Sequence, residues 1–225
     1  MNIKTVIFDM DGVLIDSEPF WRQAQIEELS KYKVKITIDD CINYTMGRKL
    51  DDLADTWCKR FDLPISNIEL QQNIMHSVIS HIREQGQAKA GLYSLLNYLK
   101  KNNFNIGLAT SSSVPVINAV LDHLSIRDFF TVICSADNEK YGKPHPDVYL
   151  SAMTQLKSNK EQCIIIEDSV TGMISGKAAA ITTYVIPEDI TEPKFSIADG
   201  IFTSLEEIEH YLINKAQPSV IANNV

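Results

Sequence analysis

Four short apolar runs of this chain each lead into polar side chains that could bind a metal ion or attack a substrate. These side chains are Asp9 and Asp11 after residues 3–8, Thr110, Ser111 and Ser112 after residues 105–109, Lys143 in the loop after residues 131–134, and Glu167 and Asp168 after residues 162–166. If the runs are parallel strands of one sheet, their carboxyl ends meet at one edge, where such sheets bind ligands. We therefore expect four carboxylates, a hydroxyl and one ammonium in a single crevice.

So many carboxylates in one crevice would raise one another's pKa unless a cation lay among them. Mg²⁺ suits this setting, because it prefers oxygen ligands and typically takes one or two carboxylates together with a substrate phosphate. Asp9, Asp168 and the backbone carbonyl of Asp11 form a fitting ligand set. Aspartates before a glycine, here Gly12, are also common in turns, so the first pair alone is open to a purely structural interpretation.

The apolar runs have the composition of buried strands. They are short and rich in β-branched residues, and a fifth run of this kind occupies residues 182–186. Segments with helical periodicity lie between them, at residues 91–102, 114–124, 146–157 and 170–179. This alternation of strand and helix predicts an α/β fold with a doubly wound parallel sheet.

Residues 18–86 interrupt the alternation. The stretch contains helical patterns such as WRQAQIEELSKY and LDDLADTWCKRF but no comparable strand. We interpret it as a small helical domain inserted after the first strand, and we assign residues 1–17 and 87–225 to the core domain. Glycine and proline near residues 16–19 and 85–91 are expected to mark the two connections.

The composition excludes several classes of function. The chain has 225 residues, 44% hydrophobic and 22% charged, which is enough for one good core and a smaller accessory one. A net charge of −8 without a basic stripe argues against a nucleic-acid partner, and no apolar run is long enough to span a bilayer. The four cysteines are far apart, which suggests neither a zinc site nor a disulfide framework. We expect a cytoplasmic monomer that binds a small molecule, with residues 217–225 as a loose tail.

Four stretches of the chain resemble, in order, the signature motifs of the haloacid dehalogenase superfamily. FDMDGVLIDSE is similar to the first motif, with its pair of aspartates closing the first strand. LATSSS is similar to the second motif, YGKPHPDVY to the third and IIIEDSVTGMISGKAAA to the fourth. The resemblance extends from residue 3 to about residue 186. It implies the Rossmann-like core of this superfamily, and the place of the helical insertion implies the cap domain of its phosphoglucomutase-like branch.

The resemblance further implies a magnesium-dependent phosphatase that works through an aspartyl-phosphate. Asp9 would be the nucleophile, and Asp11 would protonate the leaving oxygen and then deprotonate the attacking water. Lys143 would place a positive charge beside Asp9 and the transferred group. Asp168 would bind Mg²⁺, and Glu167 would be either a further ligand or a residue that supports one. Thr110 would hydrogen-bond a phosphate oxygen.

The backbone N–H groups of Ser111 and Ser112 would help Thr110 to bind the phosphate. Substrate selection would come from the cap, which excludes water and surrounds the leaving group when it closes. Arg48 and Lys49 could bind the substrate there, or they could be a solvated basic pair. The stretch DSEPFW resembles phosphatases of 2-deoxyglucose 6-phosphate and hexitol phosphates, so we expect small phosphorylated sugars or sugar alcohols as substrates.

Other activities would use many of the same residues. A phosphosugar mutase shares the whole core site, but mutases of this branch tend to carry a histidine shortly after the first motif, where this chain has Pro19-Phe20-Trp21-Arg22. That difference favours hydrolysis. A non-catalytic binding protein is disfavoured because each expected catalytic position holds a competent residue. A dehalogenase is disfavoured because cleavage of a carbon–halogen bond requires neither a second aspartate nor a metal carboxylate.

Overall fold

One parallel sheet forms the centre of the protein, whose computed structural model describes residues 3–45 and 48–216. Within that part of the chain the strand order is β3-β2-β1-β4-β5-β6, and all neighbouring strands pair in parallel. The strands are β1 (Thr5–Phe8), β2 (Asn105–Thr110), β3 (Val132–Ser135), β4 (Cys163–Glu167), β5 (Thr182–Val185) and β6 (Gly200–Ile201). The α/β fold expected from the sequence is confirmed, whereas the expected tail at residues 217–225 lies outside the described residues.

Nine α-helices surround the sheet in the described part of the chain. They are α1 (Glu18–Ser30), α2 (Ile38–Tyr44), α3 (Leu50–Phe61), α4 (Asn67–Gln85), α5 (Leu92–Lys101), α6 (Val114–His123), α7 (Asp147–Gln155), α8 (Val170–Ala178) and α9 (Leu205–Ala216). Helices α5, α6 and α9 cover one face of the sheet, and α7 and α8 cover the other. None of the helices in residues 3–45 and 48–216 is long and apolar enough to cross a membrane.

Burial on both faces explains the uninterrupted apolar run of β1. Successive side chains of a strand point to opposite faces, and here Val6 and Phe8 join the cluster under α5, whereas Ile7 joins the cluster under α7. All three are completely buried. A strand covered by helices on both faces has no solvent side on which to carry polar residues, so β1 can end in charged groups only where it leaves the sheet.

The last strand and the last helix were not anticipated from the sequence. Strand β6 has only two residues and begins with Gly200, so it carries no periodic apolar signal. Helix α9 packs beside α5 through Leu205, Ile208 and Leu212, which are buried. Strand β6 completes one edge of the sheet, and α9 adds to the layer on the face that α5 covers.

Helices α1 to α4 form a separate layer over the carboxyl edge of the sheet, which we call the helical insert (residues 18–85). Helix α4 is its centre: Leu70, Ile74, Val78 and Ile82 recur every four residues and are fully buried. Helix α4 packs against α1 and α3 of the insert and against α6 of the core. The two connections to the core, which we call the neck (residues 14–17 and 86–89), run side by side, with the N–H of Lys89 donating to the Leu14 carbonyl at 3.0 Å. The insert is therefore joined to the core by this neck and by the packing of α4 on α6.

Candidate active site

Strand β1 presents Asp9 at the middle of the carboxyl edge. The strand order reverses its direction of winding between β1 and β4, and Asp9 follows β1 at that point. Its backbone N–H donates to the Ile166 carbonyl of β4 at 2.9 Å, which keeps it in line with the sheet. Asp9 is 6% exposed. Open parallel sheets bind ligands at such a switch point, so Asp9 lies at the base of the expected crevice.

Lys143 reaches the same point from the loop before α7. Its Nζ donates to Asp9 Oδ1 at 2.5 Å and to Glu167 Oε1 at 2.7 Å. It also donates to the Tyr149 hydroxyl at 2.8 Å and to the Ala109 carbonyl at 3.2 Å. Burial lowers the pKa of Lys143, but Asp9 and Glu167 outweigh burial and keep it above its ordinary value. Lys143 is therefore a fixed positive charge beside Asp9.

Glu167 is completely buried and accepts five hydrogen bonds. Its Oε1 accepts from Lys143 and from the Tyr149 hydroxyl at 2.6 Å. Its Oε2 accepts from the N–H of Asp168 at 3.0 Å and from the N–H and hydroxyl of Ser169. Burial favours the neutral carboxyl, yet Lys143 and these donors bring the pKa of Glu167 below its ordinary value. Glu167 thus holds Lys143 in place, and its own oxygens are already occupied.

Tyr149 was not identified from the sequence, where it looks like one more large residue of an apolar helix. Only the fold brings its hydroxyl to Lys143 and Glu167. Burial, and then the charge of Glu167, raise the pKa of Tyr149. The phenol therefore stays protonated and donates a hydrogen bond to the Glu167 carboxylate.

Two glycines make room for the carboxylates. A Cβ on Gly172 would lie 1.7 Å from Glu167 Oε1, and one on Gly12 would lie 1.8 Å from Asp168 Oδ2. Gly12 also has φ = 79°, a conformation that side chains disfavour. The backbone therefore approaches both acids more closely than any other residue would allow.

The acids at the ends of β1 and β4 form a candidate cation site. Oxygens of Asp9, Glu167 and Asp168 lie within 4.8 Å of one another. Burial raises the pKa of Asp9 against the opposing charge of Lys143, and Glu167 and Asp11 raise it further. Burial also raises the pKa of Asp168, and Glu167 and Asp9 add to the rise. A bound cation would relieve this repulsion, so the donor set fits a hard divalent ion.

Asp11 is fixed by three donors from three parts of the chain. Ser17 and Trp21 donate to its Oδ1, at 2.5 Å from the hydroxyl and 3.2 Å from the indole Nε1. Ser112 donates to its Oδ2 at 2.6 Å. Ser17 lies in the neck, Trp21 in α1 of the insert and Ser112 in the core. The Asp11 carboxylate therefore joins the insert to the core, two residues from Asp9.

The loop after β2 adds hydroxyl and amide groups to the same edge. Thr110 is 1% exposed, and its Oγ1 accepts from the N–H of Ser112 at 3.1 Å. The Ser112 carbonyl accepts from the Ser135 hydroxyl at 2.7 Å, which ties this loop to the end of β3. Thr110, Ser111 and Ser112 all line the same cavity as Asp9.

That cavity has a volume of about 1230 Å³ and lies between the helical insert and the sheet edge. The core lines it with Asp9, Asp11, Lys143 and Asp168, among others. Residues of the insert close the opposite side: Glu18, Trp21, Arg22, Gln25, Asn43 and Arg48. The space is suited to a compact polar molecule whose reacting end lies at Asp9.

Arg48 and Lys49 differ in where their side chains go. Arg48 lines the cavity, and its guanidinium donates to the Thr56 hydroxyl at 3.3 Å. Lys49 extends to the core, where its Nζ donates to the Ala136 carbonyl at 2.7 Å. Of the two residues expected to bind substrate, the structure brings Arg48 to the cavity, and it places Lys49 on a contact between the insert and the core.

Glu18 is a further polar group of the cavity that the sequence did not single out. Burial raises its pKa to about 7, and the nearby charge of Asp11 adds to the rise while Arg22 opposes it. Its position immediately after the neck could have suggested a role, but its burial could not be read from the sequence. Trp21 lines the cavity, packs partly buried against the hydrophobic core, and donates from its indole Nε1 to Asp11.

The fold and the acids at the carboxyl edge of the sheet are those of a family of hydrolases. A family model described as haloacid dehalogenase-like hydrolase matches residues 6–186. The chain belongs to this family, as its four motifs indicated.

Individual relatives extend over nearly the whole chain. Hexitol phosphatase B of Escherichia coli (strain K12) is 34% identical over 211 residues, which are 92% of this chain and 95% of the relative. A β-phosphoglucomutase structure from Clostridium difficile is 26% identical with a TM-score of 0.80, covering 95% of this chain and 96% of the other. CbbY from Rhodobacter sphaeroides in complex with phosphate has a TM-score of 0.85 at 21% identity, covering 92% and 96%, and supports the fold. The chain is an enzyme of the phosphatase class.

Proposed function

We propose that this protein is a Mg²⁺-dependent phosphatase that hydrolyses small phosphorylated sugars or sugar alcohols through a phosphoryl group carried on Asp9. The observation that carries the proposal is the buried Asp9 carboxylate, held by Lys143 at the switch point of the sheet and open to a cavity. The helical insert would act as the cap (residues 18–86) of a core formed by residues 1–17 and 87–225.

The core residues divide the chemistry between two aspartates. Lys143 holds Asp9 Oδ1, which leaves Oδ2 to attack phosphorus in line with the leaving oxygen. In its protonated form Asp11 would give a proton to that oxygen, and the carboxylate so formed would later remove one from the water that attacks the phosphorylated Asp9. The Thr110 hydroxyl and the N–H of Ser111 would hydrogen-bond the phosphoryl oxygens, whereas the N–H of Ser112, predicted to join them, donates to Thr110 Oγ1 in this structure. The positive charge of Lys143 would stabilise the same group in both steps.

The ion would be held by Asp9, Asp168 and the backbone carbonyl of Asp11. The close approach of the acids and the raised pKa values of Asp9 and Asp168 support this assignment. Glu167 was predicted as a ligand or a supporting residue, and its five hydrogen bonds favour the supporting role. When bound, Mg²⁺ would neutralise the charge of the substrate phosphate and help to orient the phosphate toward Asp9.

The substrate class is supported by the shape of the cavity and by the relatives. The cavity lies under the insert and has polar side chains on both its insert side and its core side, which suits a compact, hydroxyl-rich leaving group better than a polymer. A relative covering 92% of this chain is named a hexitol phosphatase. Among residues of the insert, Arg48 is the best candidate for contact with the leaving group.

A phosphosugar mutase is the second candidate, because a β-phosphoglucomutase structure is 26% identical to this chain. A mutase must return its phosphoryl group to the other end of the sugar rather than to water. In this protein the side chain after the first motif that contacts Asp11 is Trp21, where mutases of this branch tend to carry a histidine. An indole N–H can donate a hydrogen bond but cannot accept a proton. This contact favours hydrolysis over a proton relay between two sugar positions.

The partners, the oligomeric state and the cellular location are proposed from the composition of the chain. A net charge of −8 disfavours polyanionic partners, and the four cysteines are all free thiols. We propose a monomer of the reducing cytoplasm that acts on small molecules.

Asp9→Asn tests the proposal directly. A panel of sugar and polyol phosphates is assayed with Mg²⁺ for inorganic phosphate and, by chromatography, for isomerised sugar phosphate. The wild-type protein should release phosphate, and Asp9→Asn should release none while keeping the wild-type circular dichroism spectrum. Substantial turnover by Asp9→Asn would disprove the nucleophile, and isomerisation without release would establish the mutase.

A further inference from the structure

Lys49 makes a long-range contact between the helical insert and the core. It lies immediately before α3, and its Nζ donates to the backbone carbonyl of Ala136 at 2.7 Å, across 87 positions of sequence. Ala136 is completely buried and follows β3 directly. An ammonium group that donates to a buried carbonyl makes a charge-assisted hydrogen bond, stronger than one between neutral groups.

The aliphatic part of the Lys49 side chain also contacts the core. We call residues 136–142, which follow β3, the β3 loop. A Cβ on Gly142 would lie 2.5 Å from Lys49 Cε and 3.2 Å from its Cδ. The methylene groups of Lys49 therefore cross the bare backbone of Gly142, and the ammonium ends at Ala136. Both ends of the β3 loop contact one side chain of the insert.

Charge also favours a cation at this position. Partial burial raises the pKa of Asp137 in the β3 loop, Lys49 lowers it, and Asp51 of α3 raises it. Asp51 and Asp137 are like charges on opposite sides of the seam between insert and core. Lys49 offsets their repulsion.

The β3 loop leads directly to two groups of the catalytic site. Gly142 precedes Lys143, whose Nζ holds Asp9. At its other end, the Ser135 hydroxyl donates to the Ser112 carbonyl, and the Ser112 hydroxyl donates to Asp11. The β3 loop, on which Lys49 docks, is therefore connected to Asp9 through Lys143 and to Asp11 through Ser135 and Ser112.

We propose that Lys49 is a positioning residue that holds the helical insert closed over the site by docking on the β3 loop. This inference rests on the proposed function only in treating the insert as a cap. Lys49 then acts on the substrate through the cap and does not touch it, so that of this pair only Arg48 faces the cavity. Gly142 is the complementary surface, because a side chain there would displace Lys49.

The first test compares Lys49→Met with Lys49→Arg and with a matched control, Lys59→Met. Lys59 belongs to α3, the helix that follows Lys49; its side chain is 75% exposed and pairs with Asp55 inside the insert. With 2-deoxyglucose 6-phosphate or a hexitol phosphate, Lys49→Met should lower kcat/KM roughly tenfold, about 1.4 kcal/mol, mainly by raising KM. Lys49→Arg should recover most of the loss, because a guanidinium can also donate to the Ala136 carbonyl. Lys59→Met should match the wild type.

The second test needs no turnover. The chain has two tryptophans, of which Trp57 is fully buried and Trp21 lines the cavity under the insert. Quenching of tryptophan fluorescence by acrylamide therefore reports the exposure of Trp21. Lys49→Met should raise the quenching constant, and Lys59→Met should not.

A double-mutant cycle with Gly142→Ala identifies the partner surface. Gly142→Ala should raise KM and quenching in the wild-type background and should add little in the Lys49→Met background, because the contact is already lost. Unchanged KM and unchanged quenching in Lys49→Met would overturn the proposal, as would fully additive effects in the cycle. If the wild-type protein hydrolyses no sugar phosphate, the proposed function fails, while the quenching measurements still decide the role of Lys49.

Discussion

Replacing Lys143 should expose how much of the site depends on one buried cation. Its side chain is 4% exposed and lies between the Asp9 and Glu167 carboxylates, whose side chains are 9% and 0% exposed. Lys143→Met keeps the length of the side chain but leaves both acids without their counter-ion. Removing one partner of a buried ion pair typically costs about 3–5 kcal/mol, because an uncompensated charge stays buried. We expect Lys143→Met to lower the free energy of unfolding by about that amount at pH 7.

The loss should depend on pH in a definite direction. In the wild type, the pKa of Glu167 lies below its ordinary value, so its contribution to stability is present at neutral pH and is lost as the pH falls. Without Lys143, burial should raise that pKa above its value in the unfolded chain. The folded variant then binds more protons than the unfolded one, so the deficit should be full at pH 7 and should shrink toward pH 5.

Urea unfolding followed by circular dichroism, at pH 7 and pH 5 and with a chelator present, measures this deficit. Lys177→Met is the control, because Lys177 pairs with Asp199 on the surface, at 31% and 36% side-chain exposure, and such pairs contribute about 0–1 kcal/mol. Phosphate release by Lys143→Met should fall by at least about 10²-fold, the typical cost of losing one charge-stabilising donor. If Lys143→Met were as stable as the Lys177→Met control at pH 7, the view of Lys143 as a buried counter-ion would be refuted.

Three further outcomes follow from the site. Asp11→Asn should reduce turnover about 10²- to 10⁴-fold through lost proton transfer, and near-normal rates with a poor leaving group would contradict that role. Exhaustive chelation should abolish phosphate release, Mg²⁺ should restore it, and Ca²⁺ should inhibit it because it accepts looser coordination; full activity after chelation would rule out the metal. Arg48→Ala should raise KM or reorder the preferred sugar phosphates while a phosphate ester with a small leaving group reacts as before, and an unchanged substrate ranking would remove Arg48 from the binding site.

Much of the core site could be predicted because strands end at defined places. The apolar run of β1 stops at Asp9 and that of β4 stops at Glu167, and parallel pairing brings these ends together. The sequence assigned Asp168 to the metal but left Glu167 open between a metal ligand and a supporting residue. Glu167 and Asp168 follow one another in the chain, yet Glu167 is turned into five hydrogen bonds and Asp168 lines the cavity.

The sequence by itself determined the alternation of strands and helices, the place of the helical insert and the types of groups at the sheet edge, because periodicity and strand ends are local properties of the chain. Tertiary structure alone decided which groups meet across long separations. Tyr149 supports Lys143 and Glu167, Trp21 holds Asp11, and Lys49 crosses to Ala136. Each of these contacts depends on the direction of a side chain and on the packing of a distant element, so a residue that looks like helix surface or helix core in sequence can become part of the site only when the chain has folded.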